Sequence, residues 1–167
     1  MIKSILKKIL IGLLLVFPLF FTQYSYSSDM VLKGGVEKVP NGFFGSWRVK
    51  SVRVSTDAPA IFKEKGLDLW NLSKDFDVIR LSNPFSGASA QITIQNVRNG
   101  NVEFVKSGKN GNKILTDKVS ISIKGDRFEG YDALKLETIS DVDGRVVKTE
   151  TAKYLVIGER IAGQDVE

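Results

Sequence analysis

Two residue types that the chain lacks limit the chemistry open to it. The 167 residues include neither His nor Cys. Ser–His and Cys–His nucleophilic pairs, zinc sites with His ligands and disulfides are therefore excluded. Hydrolysis by paired carboxylates or by a Ser–Lys dyad is compatible with the composition.

Four carboxylates lie close together in the sequence, at Asp126, Glu129, Asp132 and Glu137. Alternate residues of a strand face opposite sides, so Glu129 faces away from Asp126 and Asp132. Local geometry does not bring these groups together, and no catalytic residue is predicted. We expect a protein that is not an enzyme, with a carboxylate hydrolase as the weaker alternative.

Two loops resemble ligand-binding motifs but lack an essential part of each. "SNPFSGASA" (82–90) has no following helix and no Lys of a phosphate-binding loop. "DVDG" (141–144) lacks the later Glu that completes a calcium-binding loop. Both segments are predicted to be turns, and we expect no cofactor and no metal site.

The first 27 residues have the layout of a secretory signal peptide. Lys3, Lys7 and Lys8 precede an apolar run at 9–21, and a polar stretch ends at Ser27. The run has 13 residues, whereas a membrane-spanning helix needs about 20. We expect cleavage after Ser27, no membrane span after cleavage, and an exported protein that is periplasmic or secreted. An uncleaved membrane anchor is the alternative.

The remaining 140 residues are sufficient for one domain. The first 27 residues carry three Lys and no acid, so the net charge falls from +5 to +2 when they are removed. No cluster of basic and aromatic residues is present, and we expect no nucleic-acid partner. We divide this part into a loose N-terminal lead-in (28–40), a β-barrel domain (41–162) and a C-terminal tail (163–167).

The domain is composed of short alternating segments separated by turn signals. Asn99-Gly100, Asn110-Gly111 and Gly125-Asp126 are typical of tight hairpins. About eight strands without βαβ alternation predict an all-β antiparallel meander, closed as a barrel or folded as a sandwich. One helical segment is predicted after the first strand, at 57–66. A shift of the apolar phase near Ser51 predicts a bulge or a bend in the first strand.

The segment "FFGSWRV" (43–49) resembles the first strand of the lipocalin and fatty-acid-binding group, and "GERI" places Arg160 in the last strand. The resemblance implies an up-and-down barrel in which Trp47 closes the narrow end and Arg160 stacks over its ring. Gly45, Trp47 and Arg160 would then be structural. The family's other short signatures are absent, as is an Arg-x-Tyr or Arg-Arg pair for a carboxylate headgroup.

A barrel closed at Trp47 would take a ligand at its opposite end. The residues expected to cover that mouth, either as the lid of a small apolar ligand or as cover of a filled core, are Ile61, Phe62, Leu67, Leu69 and Trp70. An eight-stranded barrel is either filled by side chains or holds one small ligand. We therefore predict a lipocalin-like protein that binds a small hydrophobic ligand. The alternative is a protein-interaction or inhibitor module of the cell envelope, with a filled barrel and rim loops around Pro84 and Asn110.

Overall fold

The structure, a computed structural model, describes residues 36–162. The predicted signal peptide (1–27), the start of the lead-in and the C-terminal tail (163–167) lie outside the described residues. Within 36–162, no helix has the length and apolar character needed to cross a membrane.

Eight antiparallel strands form one closed barrel in chain order. Their bounds are β1 Gly45–Thr56, β2 Lys65–Asp75, β3 Val78–Asn83, β4 Ala88–Arg98, β5 Asn101–Asn110, β6 Lys113–Lys124, β7 Arg127–Ile139 and β8 Val146–Ala162. Each strand pairs with the next, and β8 pairs with β1. The predicted all-β meander is confirmed, and it is closed as a barrel.

Successive strands run in opposite directions, so the connections alternate between the two ends of the barrel. The turns after β2, β4 and β6 lie at the end where β1 begins, which we name the closed end. The loops after β1, β3, β5 and β7 lie at the other end, which we name the open end.

The turn between β4 and β5 is a tight hairpin. Asn99 and Gly100 both have positive φ, 52° and 77°, as a tight two-residue hairpin turn requires.

The short helical segment predicted at 57–66 is reduced to one turn, and no helix is formed there. This segment makes a single turn in which the Phe62 N–H donates to the Ala58 carbonyl at 3.1 Å. β2 begins at Lys65 and pairs with β1 over its first eight residues. Pairing with β1 satisfies the backbone groups of β2, and this tertiary contact overrides the local helical signals of the sequence.

The chain before β1 packs against the closed end. Val36–Lys38 and Asn41–Phe43 form two short 3-10 turns. Val39 is 6% exposed and Phe43 is fully buried, and the Trp47 Nε1–H donates to the Phe43 carbonyl at 3.1 Å. In the described part of the lead-in, Val39 thus joins the core while Glu37 and Lys38 are exposed. The start of the lead-in, which the sequence predicts to be loose, lies outside the described residues.

Aromatic side chains fill the closed half of the barrel. Trp70 stacks on Phe128 with ring centroids 5.6 Å apart, and Trp47 meets the same ring at 5.1 Å. Phe104 packs edge-on against Phe43 and Trp70. The interlocking rings leave this half closed to solvent, since Trp47, Phe43, Phe104 and Phe128 are at most 1% exposed.

The inner face of β1 changes character half-way along the strand. Trp47 and Val49 are buried, and the same inward series continues with the half-buried Ser51 and Arg53. Val52 and Val54 face outward and are 45% and 58% exposed. The apolar phase shift near Ser51 therefore arises because the apolar residues change sides, and it does not mark a bulge at Ser51 itself. The β1–β8 register is irregular between Ser46 and Trp47 and between Arg53 and Ser55.

Candidate ligand site in the open half of the barrel

The open half of the barrel has an inner surface that solvent reaches in part. Its inward-facing leucines on β6 and β7 are only half-buried, whereas the aromatic residues Trp47, Phe104 and Phe128 of the closed half are fully buried. We name this surface the cup. Its lining residues are Asp68, Ala90, Lys106, Leu115, Asp117, Asp132, Leu134 and Leu136.

A lysine and two aspartates form the polar part of the cup. Lys106 on β5 is the direct register partner of Asp117 on β6, and its Nζ lies 2.6 Å from Asp117 Oδ2. The Lys106 side chain is 25% exposed and that of Asp117 is 5% exposed. Asp132 on β7 faces the same interior and is 9% exposed. Lys106 thus borders accessible space, while both carboxylates lie deeper in the fold.

Each aspartate has one carboxylate oxygen without a hydrogen-bond partner. Asp117 Oδ1 and Asp132 Oδ1 are both buried and accept no hydrogen bond from any residue the structure describes. A buried polar atom without a partner carries a desolvation cost of about 1–3 kcal/mol, and more when it is charged. The cup therefore has acceptor capacity for a donor that is not part of the described chain.

The pKa values of Asp132 and Lys106 are both raised, for different reasons. Burial and the neighbouring Asp117 raise the pKa of Asp132 to about 7, against the lowering effect of Lys106. Burial alone would lower the pKa of Lys106. The charge and hydrogen bond of Asp117, with the charges of Asp132 and Asp68, outweigh it and raise that pKa above its usual range. Lys106 is consequently a permanent cation, and Asp132 changes its charge near neutral pH.

The loop 57–64 covers part of the mouth and is fixed from inside and from the rim. Arg53 donates from Nη1 to the Phe62 carbonyl and, at 3.4 Å, to the Pro59 carbonyl. The Tyr154 hydroxyl donates to the Lys63 carbonyl at 2.8 Å. Burial raises the pKa of Tyr154, so the hydroxyl keeps its proton. Both donors stand on the inner face, which makes this loop a lid.

The rim end of the lid is held by Asp57. Its carboxylate accepts from the Thr151 N–H at 2.7 Å and from the Thr151 hydroxyl at 2.9 Å. These two bonds lower the pKa of Asp57, so it remains ionised at neutral pH. The bonds join the start of the lid to β8.

The structure does not bring the five predicted ligand residues together. Phe62 is buried under the lid, while Ile61 is 46% exposed on it. Leu67 and Leu69 belong to β2 and face outward with their register partners Lys50 and Arg48, Leu67 being 70% exposed. The predicted position of both leucines over the mouth is therefore wrong, because their segment is a barrel strand.

Trp70 also differs from its predicted place at the mouth. It is the direct register partner of Trp47 and belongs to the aromatic packing of the closed half. Its Nε1–H donates to Asp68 Oδ2 at 3.2 Å, and Asp68 also accepts from the Asn83 amide. Trp70 thus lies between the two halves, where it forms part of the floor of the cup.

Gly45, Trp47 and Arg160 lie together at the closed end. The Arg160 Cζ lies 4.2 Å from the centroid of the Trp47 ring. The Arg160 guanidinium donates to the carbonyls of Gly42 and Phe44 and pairs with Asp126 at 3.0 Å. Gly45 has φ 117° at the start of β1, a conformation that favours glycine. This arrangement holds the segment before β1 across the end of the barrel.

The sequence analysis missed Lys106 and Asp117, although a signal for both was present. Lys106 continues the inward series of Val102 and Phe104, and Asp117 precedes Val119 in the inward series of β6. A charged residue in phase with buried apolar residues indicates a polar group inside a barrel. Asp132 was considered only with its neighbours along the chain, and its partners come from other strands.

A second concavity lies on the outer surface of the barrel. It is a groove of about 400 Å³ beside Tyr131 and Leu155, with Lys124, Arg127 and Glu129 around it. The Lys153 Nζ lies 4.2 Å from the centroid of the Tyr131 ring. The cup holds the buried ionisable groups, and we therefore take the cup as the candidate site.

Within the described residues, no group of three or more Asp, Glu, His or Cys is placed to hold a metal ion. Comparison of the chain with protein-family models, with curated proteins and with solved structures gives no match in any of the three. The function has to be argued from the geometry of the cup.

Proposed function

We propose that this is an exported, non-enzymatic binding protein of lipocalin-like architecture that holds a small molecule in the cup. The observation that carries the proposal is the contrast between the two halves of the barrel interior. The closed half is filled with aromatic rings, while some inward side chains of the open half, among them Lys106 and Leu134, remain partly accessible.

Two further features support a binding role. The leucines of the cup offer apolar contact to the body of a ligand, which agrees with the usual lining of small-molecule sites. Lys106, Asp117 and Asp132 add a few convergent polar groups. The proposal also modifies the ligand expected from the sequence, because a wholly apolar molecule would leave these polar groups without partners.

Occupation of the cup is tested with a fluorescent probe that binds apolar sites and with a variant whose cup is filled by a larger side chain. The neutral fluorophore N-phenyl-1-naphthylamine is titrated into the purified protein, and native mass spectrometry records any molecule that is retained. Ala90→Trp places an indole inside the cup, since Ala90 pairs with the buried Leu81. Ser89→Trp is the matched control, because Ser89 is the next residue along β4 and is exposed.

We expect Ala90→Trp to abolish probe binding and Ser89→Trp to retain it. Equal binding by both variants would place the probe outside the barrel and contradict the proposal. Absence of any bound molecule or probe at high micromolar concentration would do the same.

A protein-interaction role is the second candidate, and the rim of the open end favours it. Three of the four open-end loops carry a large exposed apolar residue: Ile61 is 46% exposed, Phe85 87% and Val142 97%. For this role, Phe85→Ser with Val142→Ser should abolish capture of a partner. Phe76→Ser is the control, since Phe76 is 91% exposed in a closed-end turn. Capture that survives the double substitution would contradict a rim interface.

A further inference from the structure

We propose that the cup recognises the ammonium group of an amphiphilic amine, which donates to the unpartnered carboxylate oxygens of Asp117 and Asp132. The inference rests on the proposed function, because it requires that the cup hold a small molecule. It specifies the chemical class of that molecule: a cationic head on an apolar body.

The acceptor geometry is the first argument. Asp117 uses Oδ2 for Lys106, at 2.6 Å, and keeps Oδ1 without a partner. Asp132 Oδ1 is also buried without a partner, and the two aspartates reach the interior from adjacent strands, β6 and β7. An ammonium group carries three donors and accepts nothing, so its chemistry matches a pair of acceptor oxygens without partners.

The balance of charge is the second argument. The acidic groups that act on Lys106 are Asp117, Asp132 and Asp68, so one lysine faces three carboxylates. Arg53, a second cation near this interior, is directed at carbonyls of the lid. Glu150, a further buried carboxylate and the register partner of Leu136, pairs with Lys148 at 2.6 Å. With every group ionised, four carboxylates face three cations. A cationic ligand reduces this excess of negative charge, and an anionic ligand increases it.

The walls of the cup select the rest of the ligand. Leu115, Leu134 and Leu136 face inward and are half-buried, which suits an alkyl or aryl body next to the ammonium group. A metal ion is disfavoured because no group of three ligating side chains is assembled within 36–162. The ligand class that fits both the charge and the walls is an amine with an apolar substituent.

Protonation of Asp132 couples this recognition to pH. Its pKa of about 7 leaves it partly protonated at neutral pH, while an alkylammonium, like a lysine side chain, keeps its charge to about pH 10. The amine binds best to the ionised carboxylate, so binding releases protons and the affinity rises as the pH increases through 7. Lys106, Asp117, Asp68, Arg53 and Tyr154 share this interior with Asp132. Glu150 of β8 also lies there, 8% exposed and paired with Lys148.

The test compares three ligands of equal chain length by isothermal titration calorimetry at pH 8: n-octylammonium, n-octanol and n-octanoate. We expect octylammonium to bind at least about tenfold more tightly than octanol, because hydrogen bonds to charged groups are the stronger class, and octanoate to bind most weakly. Asp132→Asn should remove most of the preference. Glu129→Gln, on the outward face of β7, should leave it unchanged.

The possible outcomes separate this inference from the proposed function. Octanol binding as well as octylammonium would overturn recognition of the cation while leaving the cup as a site. Binding of N-phenyl-1-naphthylamine without binding of octylammonium at millimolar concentration would do the same. Failure of all these probes would overturn both proposals. An affinity of the unsubstituted protein for octylammonium that does not change between pH 6 and pH 8 would contradict the role of Asp132, independently of any variant.

Discussion

Arg160 lies over the indole of Trp47, with its Cζ 4.2 Å from the ring centroid, and the two residues are direct register partners on β8 and β1. One side of the arginine meets the ring, and its donors reach the carbonyls of Gly42 and Phe44. The pair thereby joins the first strand, the last strand and the segment before β1 at the closed end.

A double-mutant cycle with Trp47→Phe and Arg160→Met should show a coupling free energy of about 0.5–2 kcal/mol, the usual range for a guanidinium over an aromatic face. Arg160→Met alone should cost more, because the carbonyls of Gly42 and Phe44 also lose their donor. The measurement is urea unfolding followed by circular dichroism. Additive losses would contradict an energetic contact between the two side chains.

Gly158→Ala should destabilise the barrel by about 1–3 kcal/mol, as overpacked core positions do. A Cβ at Gly158 would lie 2.1 Å from Cε1 of Phe128, and that ring is held by Trp47 and Trp70. Thermal unfolding gives the difference, and Phe128→Leu in the same chain should recover part of the loss.

Gly42→Ala is the control for this prediction. A Cβ at Gly42 would meet only Arg160 Nη2, at an ordinary 3.8 Å, so its effect should be small. Equal losses from Gly158→Ala and Gly42→Ala would show that backbone freedom, and not the Phe128 ring, decides the result.

The stability of the protein should depend on pH through Asp132. Its pKa is raised from 3.8 to about 7 in the folded state, so the folded protein binds more protons than the unfolded chain between these values. The stabilisation from this residue is therefore present at low pH and is lost as the pH rises to about 7. The full shift of the Asp132 pKa, from 3.8 to about 7, corresponds to about 4 kcal/mol in the free energy of unfolding.

Asp132→Asn isolates this effect, since asparagine does not titrate. The stability difference between wild type and Asp132→Asn should move in favour of the variant as the pH increases from 4 through 7, and become constant about one pH unit above the pKa of Asp132. Lys106 adds no slope in this range because its pKa is raised above its usual value. Chemical unfolding at several pH values tests this, and a constant difference would contradict the raised pKa of Asp132.

Tyr154→Phe should loosen the lid with little effect on the rest of the barrel. The substitution removes the hydrogen bond to the Lys63 carbonyl, which is worth about 0.5–1.5 kcal/mol. Amide hydrogen exchange should accelerate in the segment 57–64 and remain unchanged in β6. Slower or unaltered exchange in the lid would show that Arg53 and Asp57 hold it without Tyr154.

Local turn chemistry made most of the fold predictable from the sequence. Asn99-Gly100 and Gly125-Asp126 occupy the expected turns, and the strands around them fall within a few residues of their predicted positions. These turns depend on residues that tolerate positive φ, which a sequence displays directly.

The part of the fold that could not be predicted is the open half of β1 and β2. There the inner face carries Ser51, Arg53 and Asp68, while Val52 and Leu67 lie outside. In both strands the apolar residues change between the inner and the outer face along the strand. In the sequence of β1 this change has the same pattern as a bulge, and in the sequence of β2 it has the same spacing as a helix. Only the closed barrel, with a polar interior at one end, explains both patterns.

The candidate site was hidden for the same reason. Lys106, Asp117 and Asp132 come from three strands, and their convergence depends on the β5–β6 and β6–β7 registers. The spacing of residues along one strand does not reveal which residues of the neighbouring strand lie beside them. A comparison of Asp132 with Asp126 and Glu129 on its own segment therefore indicated carboxylates that point away from each other.

The two ends of the described chain leave the barrel at the same pole, since Ser46 near the start of β1 pairs with Ala162 at the end of β8. The mouth of the cup lies at the opposite pole. Attaching the barrel to a sensor surface through a residue at the pole of Ser46 and Ala162 would therefore orient every molecule with its cup toward the solution. A short linker joining the two ends would also permit circular permutation, with new termini at an exposed open-end loop such as 140–145.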